Sequence, residues 1–150
     1  MTLSVAAESP LTPEGRALVE GSQLALQEVF AAEDIFSFSA EELAKPGVSF
    51  LVAREQGQPL GCVAIVKCGD YVEVKRLYVP AAGRGRGIAR ALMAALETRV
   101  RAENIRFVRL ETGDLLTPAV TLYLSLGYKK CGRFGDYADH PASVFMEKTL

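Results

Sequence analysis

Hydrophobic residues recur with two different periods along the chain, and the periods separate predicted strands from predicted helices. Alternating or short continuous apolar runs predict strands at residues 3–7, 49–54, 61–67, 71–79, 107–112, 143–150 and from 128 onward. Polar turns around Gly57 and Gly69 join residues 49–79 into an antiparallel meander of three strands. The later strands alternate with helical segments, so the pattern predicts an α/β fold with a mixed sheet.

Helix-capping residues predict the first two helices. Thr12 is expected to begin a helix whose apolar positions continue loosely to about residue 30. Ser39 and Glu42 form a capping box at the start of a second, short helix, which ends before Pro46. Both helices therefore precede the meander in the chain.

Two further helices follow the meander. Ile88, Leu92 and Leu96 recur at helical spacing directly after a glycine-rich turn. Thr117 is expected to cap the last helix, and Gly127 stands just beyond its end, where a left-handed residue is favourable. No repeat or linker interrupts the pattern, so residues 1–150 are predicted to form a single domain.

The composition is that of an ordinary globular protein. The 150 residues are 49% hydrophobic and 23% charged, with a net charge of −1. The longest apolar run in a strand-like region, residues 62–66, is far shorter than the ~20 residues of a membrane span. Residues 1–5 show no basic and apolar signal segment, so the sequence predicts a cytoplasmic protein without a membrane partner.

The cysteine and histidine residues do not have the spacing of a metal site. A zinc site needs about four ligands close together, whereas Cys62, Cys68, Cys131 and His140 are scattered, so no metal is predicted. Serine-hydrolase chemistry would depend on His140 alone, without a Gly-x-Ser-x-Gly motif. The three cysteines are expected to be small buried apolar residues.

The charges nearly cancel, but they are unevenly distributed. Residues 1–45 contain eight acidic and two basic residues, whereas residues 75–109 contain nine basic and two acidic ones. Basic residues concentrate around one glycine-rich turn, which predicts a local anion site. For Arg99, Arg101 and Arg106, a solvated helix face is an equal alternative. Aromatic residues are not interleaved with the basic ones, so no nucleic-acid partner is predicted.

The glycine-rich turn between the strand at 71–79 and the third helix is the most informative segment. Gly83, Gly85 and Gly87 allow tight turning, and the next helix begins with free N–H groups and the positive end of its dipole. Three arginines add positive charge: Arg84, Arg86 and Arg90. The segment therefore predicts a phosphate-binding turn rather than a flexible loop. It fits neither the Walker A motif nor the dinucleotide pattern G-x-G-x-x-G/A.

Two motifs resemble the signature motifs of one enzyme superfamily. Arg84-x-x-Gly87-x-Ala89 resembles the Q/R-x-x-G-x-G/A motif of the GNAT acetyl-CoA-dependent N-acetyltransferases. Residues 119–128 resemble the A-x-x-L-Y-x-x-x-G-F/Y element of the same family, at its usual distance downstream. The segment 134–148 is similar to one bacterial subgroup of the family.

This resemblance implies a mixed, mostly antiparallel central sheet with helices on both faces and central strands that splay apart. It implies acetyl-CoA as cosubstrate, with the pantetheine between the splayed strands and its amides paired to the main chain of Leu77, Tyr78 and Val79. The pyrophosphate would lie on the N–H groups of the turn, namely those of Arg84, Gly85, Arg86, Gly87, Ile88 and Ala89, with Arg90 adding charge.

The resemblance also implies the residues that act in the reaction, a direct attack of an amine on acetyl-CoA in a ternary complex. Tyr123 matches the general acid that protonates the departing thiolate, although its helical spacing also suits a core aromatic. Glu73 matches the strand carboxylate that is the base in some relatives, with a solvated carboxylate as the alternative. Alternation places Lys75, Leu77 and Val79 on the same face, where Lys75 favours the ionised, less basic carboxylate.

One position departs from the family pattern. Leu116 stands where many relatives have a polar residue near the pantetheine, so it is left out of the predicted site. The acceptor, an amine of a small molecule or peptide, is expected to be selected by residues 10–45 and the 133–143 loop, and homodimers are common in the family. The alternative function is a non-catalytic acyl-CoA-binding or regulatory module. A nucleotide-phosphate enzyme of another kind is a more distant alternative.

Overall fold

A computed structural model describes residues 2–31 and 39–150, which form one seven-stranded sheet and its covering helices. The strands are β1 (Leu3–Ala7), β2 (Val48–Glu55), β3 (Gln58–Lys67), β4 (Tyr71–Tyr78), β5 (Phe107–Gly113), β6 (Lys129–Lys130) and β7 (Ser143–Thr149). The helices are α1 (Pro13–Gln27), α2 (Ala40–Leu43), α3 (Ile88–Ala102) and α4 (Thr117–Ser125), with a 3-10 turn at Ala81–Gly83.

The strand order is β1-β2-β3-β4-β5-β7-β6. Neighbouring strands pair antiparallel except β4 and β5, which are parallel. A parallel pair needs a crossover connection, and α3 provides it between β4 and β5. The predicted mixed, mostly antiparallel sheet is therefore confirmed.

The helices cover opposite faces of the sheet and form two cores. On one face, Leu92 and Leu96 of α3 are fully buried against the strands. On the other face, Leu18 of α1 and Leu43 of α2 pack with Phe50 of β2. Helices on both faces were predicted, and this prediction is confirmed as well.

The strands β4 and β5 are paired over only part of their length. The parallel register runs from Tyr71 opposite Phe107 to Val74 opposite Leu110, and the pairing ends there. Beyond it, β4 contains a bulge, because its register against β3 shifts and Arg76 has a left-handed φ of 55°. The splayed central strands that the resemblance implied are present.

The bulge also reverses the direction of the side chains that follow it. Glu73 and Lys75 lie on one face of β4 and are in contact, as predicted. Leu77 and Val79 instead pack against the α3 core on the opposite face, so the prediction of one shared face is wrong for them. Strict alternation requires an unbroken strand, and the extra residue at Arg76 shifts it by one position.

The capping residues predicted for the first two helices are confirmed. The Gly15 N–H donates a hydrogen bond to Thr12 Oγ1 at 3.0 Å. Ser39 and Glu42 form the reciprocal capping box of α2. The first helix ends earlier than predicted, at Gln27 rather than near residue 30.

Three other local predictions are wrong. Leu116 is the N-cap of α4 in place of Thr117, and the strand predicted from residue 128 onward is limited to the two residues of β6. Of the cysteines expected in the core, Cys62 is buried, but Cys68 and Cys131 are partly exposed. Across the described ranges, none of the helices combines the length and the apolar character that a membrane span requires.

Leu92 provides a test of the α3 core. Its side chain is fully buried, so Leu92→Ala is expected to lower the free energy of unfolding by about 2–5 kcal/mol. The matched control is Leu124→Ala in α4, where half of the residue is exposed and we expect a change below about 0.5 kcal/mol. Urea unfolding followed by circular dichroism measures both variants, and equal losses would contradict the described packing.

Candidate active site

A cavity of about 250 Å³, here called the cleft, opens where β4 and β5 separate. Residues of α1, α4 and the loop before β7 complete its wall. The residues that line the cleft and carry polar side chains are Ser22, Lys75, Arg76, Tyr78, Glu111, Thr112, Tyr123, Tyr137, His140 and Ser143. The cleft therefore combines carboxylate, basic and phenolic groups in one space.

Apolar residues from the end of α1 and from the segment that follows it line another part of the cleft. Ala25, Leu26 and Phe30 contribute to this wall. A Cβ atom at Gly113 would come within 2.2 Å of the Phe30 ring, so the close approach of this ring to β5 requires glycine there.

The glycine-rich turn forms a second cavity, of about 230 Å³. Gly85 and Gly87 have left-handed φ values of 74° and 75°, and a Cβ atom at either would meet no other atom within 4 Å. Gly87 is the N-cap of α3 and offers no capping side chain, so the first N–H groups of the helix are left for a ligand. This arrangement is chemically suited to bind a phosphate group.

Most of the residues predicted to bind the cofactor line one of these two cavities. Leu77 and Tyr78 line the cleft. The second cavity is lined by Val79, Arg84, Gly85, Gly87, Ile88, Ala89 and Arg90, together with Gly83 and Leu122. Arg86 does not line either cavity, because its guanidinium forms an ion pair with Glu55 of β2.

Tyr123 lies on α4 and lines the cleft, where it is only 6% exposed. Its ring packs edge-on against Tyr128 with 5.8 Å between the ring centroids. Burial raises the pKa of Tyr123 above its ordinary value, so the phenol stays protonated at neutral pH. Tyr123 therefore packs in the core and also lines the cleft, and its role as the general acid stays a prediction.

Glu73 lies on β4, where it is buried, in a cluster with the half-buried Lys75 and Tyr137. Its carboxylate is 3.0 Å from Lys75 Nζ and accepts a hydrogen bond from the Tyr137 hydroxyl. Lys75 also donates to that hydroxyl. Lys75 and Tyr137 line the cleft, whereas Glu73 lies behind them and is 7% exposed.

Glu111 on β5 is a second carboxylate of the cleft, and the sequence analysis missed it. Burial raises the pKa of Glu111, while a hydrogen bond from Ser143 Oγ at 2.8 Å acts in the opposite direction. The sequence pattern could have indicated Glu111, because the apolar residues Val108 and Leu110 alternate with it along the strand and so occupy the other face. The sequence did not show that the cleft lies beside the Glu111 face of β5, because this follows from the parallel register of β4 and β5.

The loop before β7 and the first residue of that strand bring further residues to the cleft. Tyr137, His140 and Ser143 line it, and His140 Nδ1 accepts a hydrogen bond from the Ala142 N–H at 3.0 Å. Leu116 also lines the cleft, although the sequence analysis left it out of the site. Within the other segment expected to select the acceptor, 10–45, residues 32–38 lie outside the described residues.

Comparison with known proteins assigns the chain to a family. Residues 16–128 match the acetyltransferase (GNAT) family. Because this match covers most of the chain, the chain belongs to the GNAT family, as the two motifs predicted. It is therefore an N-acetyltransferase, an enzyme that transfers an acetyl group to an amine, rather than a non-catalytic module. The family uses acetyl-CoA as its acetyl donor.

Individual proteins are similar to the chain over its whole length. It is 38% identical over 150 residues to the IAA acetyltransferase of Azospirillum brasilense, covering 99% of this chain and 98% of that one. A crystal structure from Klebsiella pneumoniae, described as an acyl-CoA N-acyltransferase, is 33% identical with a TM-score of 0.84, covering 99% and 98%. The PaiA N-acetyltransferase of Thermoplasma acidophilum, solved with coenzyme A, shares the fold at 18% identity and a TM-score of 0.79, with both chains fully covered.

The elevated pKa of Glu111 leads to a prediction about stability. The folded protein favours the protonated carboxyl, so its stabilising contribution is present below the ordinary carboxyl pKa and is lost as the pH rises through the elevated value. At pH 7 the ionised group is therefore unfavourable for folding. At pH 7, the free energy of unfolding of Glu111→Gln is expected to equal or exceed that of the wild type. The gap between these two free energies should be smaller at pH 5.

The matched control for this prediction is Glu73→Gln. This variant removes the anion beside the buried Lys75 ammonium, so we expect a loss of about 1–3 kcal/mol at pH 7. Urea unfolding at pH 7 and pH 5 measures both variants. A clear loss of stability in Glu111→Gln at pH 7 would be inconsistent with the described environment of Glu111.

Proposed function

We propose that the chain binds acetyl-CoA across both cavities and transfers the acetyl group to an amine held in the cleft. The observation that carries this proposal is the separation of β4 from β5 beside the glycine-rich turn. Beyond Val74 the edge of β4 that faces β5 is free of ladder pairing in the described structure. The pantetheine amides can therefore pair with the main chain of Leu77, Tyr78 and Val79. The pyrophosphate accepts hydrogen bonds from the N–H groups of residues 84–89.

The reaction is a direct attack within a ternary complex. The amine nitrogen attacks the thioester carbon, and a backbone N–H of β4 stabilises the oxyanion that forms. Tyr123 gives its proton to the departing thiolate. Burial makes the phenol a weaker acid, but the thiolate formed in the same buried site is a stronger base for the same reason. Glu73 receives the proton that the amine nitrogen loses.

Glu111 has a separate role in this scheme. Because its carboxylate lines the cleft, it binds the incoming acceptor in the ammonium form. Burial raises the pKa of Glu111. A bound cation favours the ionised carboxylate, so it acts on this pKa in the opposite direction. The two carboxylates therefore act on different steps, binding at Glu111 and proton removal at Glu73.

The acceptor is an amine of a small molecule or a peptide that fits the cleft. The similarity to a protein named IAA acetyltransferase supports a small-molecule acceptor. The direct test is a panel with acetyl-CoA, read as release of free thiol. The panel contains IAA, amino acids, peptides with a free N-terminus, and N-terminally blocked peptides with a free lysine. A homodimer and a cytoplasmic location also belong to this proposal, and analytical ultracentrifugation and cell fractionation test them.

Binding of CoA tests the proposed cofactor site. At a CoA concentration ~100 times the dissociation constant, the wild type should gain about 2.7 kcal/mol of stability. Gly87→Val is expected to weaken CoA binding at least about tenfold, because a branched side chain would fill the open space where the pyrophosphate approaches. Isothermal titration calorimetry measures the dissociation constant.

The control for Gly87→Val is Gly57→Val in the turn between β2 and β3. Gly57 has a similar φ of 80° and equally open surroundings, so the backbone strain of the two substitutions is matched. The control should lose stability but bind CoA normally. Equal CoA affinity in the two variants, or stabilisation by ATP but not by CoA, would overturn the proposed cofactor site.

Tyr123→Phe tests the proposed general acid. The variant keeps the buried ring and removes only the hydroxyl, so turnover should fall by about 10²–10⁴-fold while CoA binding and the melting temperature change little. The loss should shrink with an acyl donor whose leaving group needs no proton. Tyr128→Phe is the control, since Tyr128 packs against Tyr123 but does not line the cleft. Unchanged turnover in Tyr123→Phe, where chemistry limits the rate, would assign Tyr123 to packing alone.

A further inference from the structure

Tyr137 stands between the cleft and the Glu73 carboxylate. Its hydroxyl donates a hydrogen bond to Glu73 and accepts one from Lys75. The Glu73 and Lys75 side chains are only 9% and 12% exposed, so this cluster is largely shielded from solvent. Because Glu73 does not line the cleft itself, a proton from an acceptor amine reaches its carboxylate only through an intermediate group.

The surrounding aromatic residues hold the Tyr137 ring in place. Phe134 and Phe145 pack edge-on against it, with ring centroids 5.7 Å and 5.6 Å away. Lys75 Nζ lies 4.6 Å from the centroid of the ring. The Arg133 guanidinium also donates a hydrogen bond to the Tyr137 carbonyl at 3.3 Å. A loop without helix or strand thus presents this phenol in a defined position, as proton transfer requires.

We propose that the Tyr137 hydroxyl relays the proton of the acceptor amine to Glu73, and that Lys75 holds the hydroxyl in the required orientation. This inference rests on the proposed acetyl transfer and adds a catalytic residue to it. Tyr137 has the necessary properties because it is the member of the cluster that both lines the cleft and can accept one proton while it donates another. Lys75 also lines the cleft, but its ammonium can only donate.

The protons and electrons of the relay balance without any further reactant. The acceptor that is bound as an ammonium ion first releases one proton to water, which leaves the neutral amine. As the amine nitrogen forms the C–N bond, its N–H bond breaks and the proton moves to Tyr137 Oη. In the same step Tyr137 loses its own proton to Glu73 Oε2, so no free phenolate forms. The thiolate leaves with the carbon–sulfur electron pair and takes the proton of Tyr123. Water then returns the proton from Glu73 to Tyr123, and the net products are the amide and CoA.

A relay explains why the phenol can act although it is a weak acid. Burial and the hydrogen bond to Glu73 raise the pKa of Tyr137, so the hydroxyl stays protonated between turnovers. Coupled transfer avoids the phenolate that such an environment disfavours. Glu111, the other carboxylate of the cleft, is hydrogen-bonded to Ser143 and so belongs to a separate hydrogen-bonded pair.

The test compares Tyr137→Phe with Tyr71→Phe, using the most active amine of the panel and acetyl-CoA. Tyr71 belongs to the same aromatic group, since it packs edge-on against Phe134, but it does not line the cleft. Tyr137→Phe should lower kcat at least about tenfold, whereas the CoA dissociation constant, the acceptor KM and the melting temperature stay within twofold or a few degrees. Tyr71→Phe should leave kcat unchanged.

A double variant separates a relay from an independent contribution. Two groups in one proton path are non-additive, so Tyr137→Phe combined with Glu73→Gln should be no slower, within about twofold, than the slower single variant. Losses that multiply would overturn the relay. Turnover in mixtures of H2O and D2O gives an independent readout, because two protons in flight give a curved dependence. The curvature should be lost in Tyr137→Phe and kept in Tyr71→Phe.

The failure of the relay and the failure of the proposed function give different results. If the wild type binds CoA but releases no thiol with any amine, the proposed transfer fails and the relay fails with it. If the wild type turns over and Tyr137→Phe matches it, the relay alone is wrong. A large loss in Glu111→Gln together with normal rates in Glu73→Gln and Tyr137→Phe would instead identify Glu111 as the base.

Discussion

The separation of β4 from β5 depends on one strained backbone position, and the cleft depends on that separation. A positive φ at a residue other than glycine costs roughly 1–3 kcal/mol, so Arg76 must be held by its surroundings. Its guanidinium donates hydrogen bonds to Ser22 Oγ at 3.1 Å and Gln23 Oε1 at 2.8 Å, both on α1. The residue that opens the sheet therefore also attaches the helix that lines the opening.

The two carboxylates of the site lie in contrasting environments, and the contrast follows from their strands. Glu73 precedes the bulge, where β4 is still paired on both sides, and it forms an ion pair with Lys75. Glu111 follows the last residue of β5 that pairs with β4, at the wall of the cleft, where burial raises its pKa. This contrast agrees with the proposed division of roles, in which Glu111 binds the acceptor and Glu73 takes its proton.

The glycine-rich turn and the tyrosine of α4 each combine a structural position with access to a cavity. Gly87 ends the turn in a left-handed conformation and begins α3, so a single residue starts the helix and leaves its N–H groups accessible. Tyr123 packs against Tyr128 and still reaches the cleft. Short motifs around these residues therefore carry information about the fold and about the cavities that it forms.

The sequence by itself determined the features that depend on local chemistry. Capping at Thr12, the left-handed glycine at Gly127 and the helical position of Tyr123 each follow from residues within a few positions of one another. Only the tertiary structure decided where Glu111 and Tyr137 lie relative to Glu73. Tyr137 and Glu73 are 64 residues apart in the chain, and the bulge that orients β4 leaves no local pattern. Contacts of this kind result from strand register and loop packing, which depend on the free energy of the whole fold rather than on neighbouring residues.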